Sequence, residues 1–338
     1  MGTERRNQQI QLKSRPRGEI EPDDFEIVDT PMPTPAAGEV LVQSQYLAVE
    51  PAMKGWIEAR VDYVAPVEIG DVMRGQGAGV VLQSNHPDYP EGTLVTGSFG
   101  WCRYLTSDGK SVPLRKLPAG IEPTAALNVL GITGLTAYFG MLDIGQPQAG
   151  ETVLVSGAAG ATGSIAGQLA RIAGARVIGI AGGSDKCEWL VSELGFDGAI
   201  DYKSEDTAAR VAQLCPDGLN VFYDNVGGEI LDIALDNLAD KARVVLCGGI
   251  SRYNETGAIP GPKNYFNLVY RRARMEGFIV VDYAARFGEG VGALAKLLDS
   301  GELQHRETVL EGFDQLPQAL INLFSGGNTG KQLVAVDI

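Results

Sequence analysis

Between Glu151 and Lys186 the chain reads ETVLVSGAAGATGSIAGQLARIAGARVIGIAGGSDK, and no other stretch restricts its possible folds as strongly. A short apolar run, TVLVSG, meets a glycine-rich turn, then a helical segment, TGSIAGQLARIAG, and then a second apolar run, RVIGIAG. Parallel neighbours in a sheet need a crossover of a dozen or more residues, usually a helix, and this segment has that form. The alternation continues, with strands predicted at GAIDY, LNVFYDNV and ARVVLCGGI and helices at KCEWLVSELG, TAARVAQLC and GEILDIALDNL. The pattern predicts an α/β fold whose doubly wound parallel sheet is covered by helices on both faces.

The turn itself carries chemistry. Ala158, Gly160 and Gly163 spell AxGxxG between strand and helix. In a dinucleotide-binding turn the first position shapes the bend, the second lets backbone N–H groups approach a pyrophosphate, and the third lets the helix pack closely on the strand. The helix N-terminus adds unpaired donors and a positive dipole end. A glycine-rich turn without a ligand is the plain alternative, and the flanking alternation favours the cofactor. Sites that prefer NAD place Asp or Glu at the end of the second strand, where it accepts from the ribose 2′-hydroxyl. Here that position reads IAGGSDK, small and uncharged, with Lys186 close behind. A 2′-phosphate fits such a place, so the expected coenzyme is NADP(H). Asp185 could act as a displaced ribose acceptor, but it stands where an acid favours a helix N-terminus. Lys186 alone could equally be a solvated helix lysine.

A chain of 338 residues exceeds one ordinary core, which predicts two domains. From Phe25 to Arg115 short runs such as GEVLVQSQYLAV, GAGVVLQSN and HPDYPEGTLVTGSF, broken by Gly, Pro and Asp, predict a β-rich, barrel-like domain. Leu127 to Leu142 is predicted as a buried helix, too interrupted to span a membrane. After Gly301 the tail supplies a strand, a helix, a glycine loop and a closing strand. Pattern alone lets it either finish the parallel unit or return to the N-terminal domain.

With 42 acids against 28 bases the net charge is -14, a field that repels nucleic acid and anionic membranes, so neither is expected as a partner. Cys102, Cys187, Cys215 and Cys247 are dispersed, with no CxxC pair and no histidine at ligand spacing. Neither disulfides nor a metal site is expected, and a reducing compartment is. His86, in the turn NHPDYPEG, and His305 have no catalytic setting. The N-terminal MGTERRNQQIQLKSRPRG lacks the apolar centre of a signal peptide, and Arg6 stands where a myristoylation motif has Ser or Thr.

Nearly the whole chain resembles one known family. The block GITGLTAYFGMLDIGQPQAGETVLVSGAAGATGS, with LKSRPRGEIEPDDFEIV, HPDYPEGTLVTGSFGW, DNVGGEILD, RMEGFIV and GGNTGK, is similar to a group of zinc-independent medium-chain reductases. That group includes the leukotriene B4 12-hydroxydehydrogenase/prostaglandin reductases and the plant alkenal double-bond reductases. The resemblance implies a Rossmann domain, residues 129–301, inserted into a β-rich GroES-like substrate domain, residues 1–128 and 302–338, with substrate and nicotinamide in the cleft between them. By matching motif it implies cofactor contacts at Thr133, at the turn Ala159, Gly160, Ala161, Thr162 and Gly163, and at Gly183, Lys186 and Tyr202. Further contacts fall on Asn225, Cys247, Gly248, Gly249, Ile250, Ser251, Tyr253, Phe278, Ile279, Val280 and Asn328. Tyr202 could instead cap a sheet edge, and Phe278 could be core. Where the family reads DPYMR this chain reads EPAMK, so Ala52 replaces a pocket tyrosine and Lys54 an arginine, implying a roomier or differently shaped substrate pocket.

The implied reaction is NADPH-dependent reduction of the C=C bond of α,β-unsaturated aldehydes and ketones, 15-oxo-prostaglandin-like enones included. Hydride delivery to the β-carbon builds charge on the carbonyl oxygen, which needs a donor. A phenol, protonated at neutral pH, is one. Tyr270, in VYRRARMEGF, matches the family tyrosine and is the expected catalytic and substrate-binding residue. Tyr253 is a second substrate-side candidate. Without the resemblance, Tyr270 would read as a core aromatic. A homodimer in the cytoplasm is also implied. An NADPH quinone oxidoreductase and a non-catalytic NADPH-binding protein are the alternatives.

Overall fold

The computed structural model describes residues 6–58, 64–255 and 257–337, so the first five residues of the N-terminal segment read above lie outside it. Along the chain run β1 (Arg6–Leu12), β2 (Phe25–Pro31), β3 (Val40–Ala48), α1 (Met53–Ile57), β4 (Gln76–Ser84), β5 (Leu94–Ser98), β6 (Tyr104–Ser107), β7 (Leu114–Lys116) and α2 (Pro123–Leu127). Next come α3 (Ile132–Phe139), β8 (Thr152–Val155), α4 (Ala161–Ile172), β9 (Arg176–Ala181), α5 (Ser184–Ser192), β10 (Gly198–Asp201), α6 (Thr207–Leu214) and β11 (Leu219–Asp224). They are followed by α7 (Gly228–Asp236), β12 (Leu238–Leu246), α8 (Asn267–Arg271), β13 (Arg274–Gly277) and α9 (Phe287–Asp299). The tail holds β14 (Glu307–Glu311), α10 (Leu316–Ser325) and β15 (Lys331–Ala335).

The chain divides into two compact units, residues 128–306 and residues 1–127 with 307–338. The second crossing thus falls at 306/307, where the sequence reading has 301/302. The intervening residues are held by the larger contiguous unit: Gln168 and Gln304 exchange two hydrogen bonds of 2.9 and 2.8 Å, and Arg306 pairs with Glu193 at 2.9 Å.

In that unit six strands lie in the order β10-β9-β8-β11-β12-β13, every neighbouring pair parallel. Val153, Leu154, Val155, Val177, Ile178, Val221, Phe222 and Tyr223 are all fully buried. Helices on both faces leave no exposed side, which is why these strands read as unbroken apolar runs. Leu154, Ile178, Phe222 and Val244 pack in one cluster with Leu231, Ala234 and Leu235 of α7. Each large aliphatic buried this way stabilises the fold by about 1.5–3 kcal/mol. The strand order reverses between β8 and β11, the switch point outside whose carboxyl ends α/β sheets bind ligands.

The other unit is a seven-stranded sheet, β14-β15-β3-β4-β5-β7 with β6 also on β3, beside the two-stranded β1–β2 ribbon. The tail returns to it: β15 runs antiparallel to β3, with Leu333 opposite Ala48. Phe313, Leu316, Leu320 and Val334 of the tail share one core with Ile10, Leu12, Leu47, Met53 and Trp101.

The run from Leu127 to Leu142 is not the single buried helix expected. After α2 ends, Asn128 O accepts from the N–H groups of both Gly131 and Gly134, each at 3.1 Å, closing a turn before α3 begins. α3 then passes into a π turn at Gly140–Gly145. Among the described residues no helix is long and apolar enough to cross a membrane.

Candidate active site

The crest of β8 explains its own motif. The left-handed residue of the turn is Gly157, with φ 57°, so Ala158 carries no strain. Ala158 is fully buried, its N–H donates to Ile180 O at 2.9 Å, and a β-carbon on Gly179 would stand 2.9 Å from its methyl group. Alanine serves in the first motif position because Gly157 supplies the bend and Gly179 the space. At Gly163 a β-carbon would lie 2.3 Å from Gly157 O, so α4 can ride this close to the turn only on glycine. At Gly160 it would meet Gly157 O at 3.2 Å and no other atom within 4 Å, which leaves the outward side open. The N–H groups of Ala161, Thr162 and Gly163 precede the first intrahelical bond, Ser164 N to Gly160 O at 3.0 Å. With the positive end of a 12-residue helix they make a seat for an anion.

At the end of β9 the acid of an NAD site is replaced by Gly182, followed by Gly183 with φ 106° and no atom within 4 Å of a β-carbon placed there. The floor of this hollow is fixed by Asp201 at the end of β10, which accepts from Gly183 N at 2.7 Å, Lys203 N at 3.0 Å and Ser204 Oγ at 2.7 Å. These hydrogen bonds hold its carboxyl below the usual range. The Tyr202 ring lies over Gly182, 2.8 Å from where a β-carbon would be, and stays half exposed, so it borders the hollow as well as the sheet edge. Burial, and then the charge of Lys203, holds the Lys186 ammonium below the ordinary lysine range. Asp185 is exposed in the first turn of α5, accepting from Ser184 Oγ at 3.2 Å. Lys203 is a charged neighbour of Lys186 that the motif reading did not single out. It follows Tyr202 directly in IDYK, but its nearness to Lys186 exists only once β9 and β10 are paired.

The crests of β8, β11 and β12 are knotted by Asp224, which is fully buried. Its Oδ1 accepts from Ser156 Oγ at 2.8 Å, Val226 N at 3.0 Å and Gly227 N at 2.9 Å. Its carbonyl accepts from the N–H groups of Cys247 at 2.9 Å and Gly248 at 3.0 Å. Burial raises its carboxyl above the usual range, against these donors. Asn225 is fixed in turn, donating from N to Ser156 Oγ at 2.9 Å and from Nδ2 to Ser156 O at 2.7 Å. The run from Cys247 to Tyr253 follows: Ile250 N and Ser251 N bond to Asn225 O and Val226 O at 3.2 Å, and Gly249 N donates to Tyr253 Oη at 3.3 Å. Burial pushes the Cys247 thiol up to about 12. It shares a hydrogen bond with the Tyr223 phenol, which donates to Thr136 O at 3.0 Å.

Phe278 is half buried rather than core, its ring tip 2.6 Å from the place a β-carbon on Gly140 would take and its ring edge-on to Tyr283 at 6.3 Å. Ile279 and Val280 continue from it, also half buried, and Thr133 is buried in α3. Tyr270 is 67% exposed on α8, with Phe266 edge-on at 5.4 Å, so it is no core aromatic. Two expected residues belong to the other unit. Ala52 caps α1, beside Lys54, which is 1% exposed and engaged by Gly18 O and by Glu58 at 3.4 Å. Asn328 donates from Nδ2 to Gly330 O at 2.8 Å, in the turn that leads to the buried Lys331–Glu50 ion pair at 2.8 Å. Among the described residues no three His, Cys, Asp or Glu side chains gather as metal ligands would.

The sheet order, its switch point and the anion seat define a Rossmann-type dinucleotide-binding unit. Residues 8–114 match a family model described as the N-terminal domain of oxidoreductase, and residues 161–296 one described as zinc-binding dehydrogenase. The putative NADP-dependent oxidoreductase YfmJ of Bacillus subtilis (strain 168) is 45% identical over 97% of each chain. The NADPH-dependent curcumin reductase of Escherichia coli (strain K12) is 39% identical over 98% of this chain and 97% of its own. The NADP(+)-dependent 2-alkenal reductase of Nicotiana tabacum is 35% identical over 99% of each chain. The crystal structure of CurA in complex with NADPH from Vibrio vulnificus superposes with a TM-score of 0.93 at 39% identity, covering 98% of this chain and 99% of that one. The chain belongs to the zinc-independent medium-chain dehydrogenase/reductase family.

Proposed function

We propose that this protein is an NADPH-dependent reductase of the C=C bond of α,β-unsaturated aldehydes and ketones. It is an NADP(H)-dependent oxidoreductase, in line with the NADP-dependent relatives and the NADPH-bound neighbour. One observation carries the reading: the unit that offers an uncharged, lysine-bordered nucleotide end also presents an exposed phenol, Tyr270. The relatives named curcumin reductase and 2-alkenal reductase support an enone or enal as the acceptor.

The residues present fit the coenzyme. The N–H groups of Ala161, Thr162 and Gly163 would seat the pyrophosphate, and the open side of Gly160 admits it. Gly183, Lys186 and Tyr202 would take the 2′-phosphate. Asn225, the run from Cys247 to Tyr253, Phe278 to Val280 and Thr133 would line the rest. When bound, the reduced coenzyme supplies hydride to the substrate β-carbon. As charge moves onto the carbonyl oxygen, the Tyr270 phenol donates a hydrogen bond to it, and a proton taken up at the α-carbon completes the saturated product. Tyr253 would border the substrate.

The test is NADPH oxidation with a 2-alkenal, an aryl enone, a 15-oxo-prostaglandin and a benzoquinone. Turnover of the enals or enones is expected. Turnover of the quinone alone would make this a quinone oxidoreductase, and tight NADPH binding without turnover a binding protein. Tyr270→Phe is expected to lower kcat about a hundredfold, the usual cost of losing one oxyanion donor. We also read the protein as a cytoplasmic homodimer. Its four cysteines are free thiols, and β13 ends the parallel sheet near exposed Tyr265, Phe266 and Val269. Sedimentation of the purified protein tests the dimer.

A further inference from the structure

We propose that Lys203 is a second ligand of the coenzyme 2′-phosphate, acting with Lys186 and Tyr202 to select NADP(H) over NAD(H). The inference rests on the coenzyme placement above and adds to it a residue that no motif assigns. Lys203 is exposed, yet its side chain lies along the end of β9. Its Cε lies 2.9 Å from the position a β-carbon on Gly182 would occupy, beside the Tyr202 ring at 2.8 Å, so both side chains fold back across the end of β9. That backbone path is imposed by Asp201, whose Oδ1 takes the N–H groups of Gly183 and Lys203 together, at 2.7 and 3.0 Å. One carboxylate oxygen therefore joins the lip of the hollow to the lysine beside it.

The charge pattern has the same sense. Lys203 is near enough for its charge to disfavour that of Lys186, in a chain whose net charge is -14. Two ammonium groups near one glycine-lined hollow favour an anion placed between them. Asp201 attracts Lys203 from below, but its oxygens are taken up by the turn's own N–H and hydroxyl groups and lie under the hollow rather than in it. A phosphate monoester suits the hollow, because it is dianionic near neutral pH and accepts several charge-assisted hydrogen bonds at once. The space above Gly183, where no atom comes within 4 Å of the position a β-carbon would take, gives it room.

The experiment is calorimetric titration of the full-length protein and of Lys203→Ala, Lys203→Arg and Lys186→Ala with 2′,5′-ADP and with 5′-AMP, which differ by the one phosphate. Lys203→Ala should weaken 2′,5′-ADP about tenfold, the scale of one partly exposed charge-assisted contact, and leave 5′-AMP unchanged. Lys203→Arg should recover most of the loss. Undiminished 2′,5′-ADP binding by Lys203→Ala, while Lys186→Ala is weakened, would overturn the inference and leave the coenzyme placement standing. Equal losses for both nucleotides would overturn it by showing a disturbed turn. If neither lysine matters, the 2′-phosphate site itself is misplaced and the inference falls with it.

Discussion

Gly160 and Gly163 stand three residues apart in one motif, yet the structure gives them opposite reasons for being glycine. A methyl at Gly163 collides with backbone, Gly157 O at 2.3 Å and Ala158 Cα at 2.9 Å, and neither can swing aside. Gly163→Ala should therefore destabilise the fold by about 1–3 kcal/mol, the usual cost of overpacking, visible as a lower urea midpoint with no ligand present. A methyl at Gly160 meets one atom at 3.2 Å and otherwise points into open space, where the proposed pyrophosphate would lie. Gly160→Ala should leave the urea midpoint nearly unchanged and weaken NADPH strongly. A variant pair with the reverse pattern would refute this division of labour. The motif was legible because spacing and flanking periodicity are local. What it could not show is that Gly157 carries the positive φ and Gly179 the space that together admit the alanine at position 158, or that pairing of two strands brings Lys203 near Lys186.

Among the elements, the three strand crests are coupled through one buried carboxyl, and that gives the coupling a pH signature. The Asp224 pKa is raised in the fold above its ordinary value of 3.8 by burial. Between those two values the folded state holds more protons than the unfolded one, so this residue's contribution improves as pH falls through the window and is complete below the unfolded value. Asp224→Asn cannot titrate. The stability of the parent relative to Asp224→Asn, from urea unfolding, should shift in the parent's favour on going from pH 7 toward 4. An unchanged difference would mean that Asp224 titrates alike in both states. The alternating elements of this unit were readable from apolar runs, since strands buried on both faces cannot hide their composition. The stretch from Leu127 to Leu142 misled for the same reason: apolar content announces burial, whereas the break came from the Asn128 carbonyl taking two N–H groups. The tail was undecidable because its pairing joins Leu333 to Ala48, and no local pattern encodes so distant a partner.

At the scale of the molecule, a chain of net charge -14 must bind an anionic coenzyme against its own field. The opposing contributions have different reach. The global repulsion is spread over the surface and is screened within about 10 Å at 0.1 M salt, whereas the attraction proposed for Lys186 and Lys203 would act at contact, partly sheltered by burial at Lys186. If these lysines hold the coenzyme as proposed, local attraction dominates in the parent protein and NADPH affinity should fall as salt rises, as it does for phosphate-binding sites in general. Replacing both lysines with alanine removes that attraction and makes the net charge more negative still, leaving repulsion as the main term that salt can screen. The salt dependence of NADPH binding should then flatten or change sign in Lys186→Ala/Lys203→Ala, read by fluorescence titration across low and high salt. Parallel slopes in the parent and the double variant would mean that these two ammonium groups are not what draws the coenzyme in.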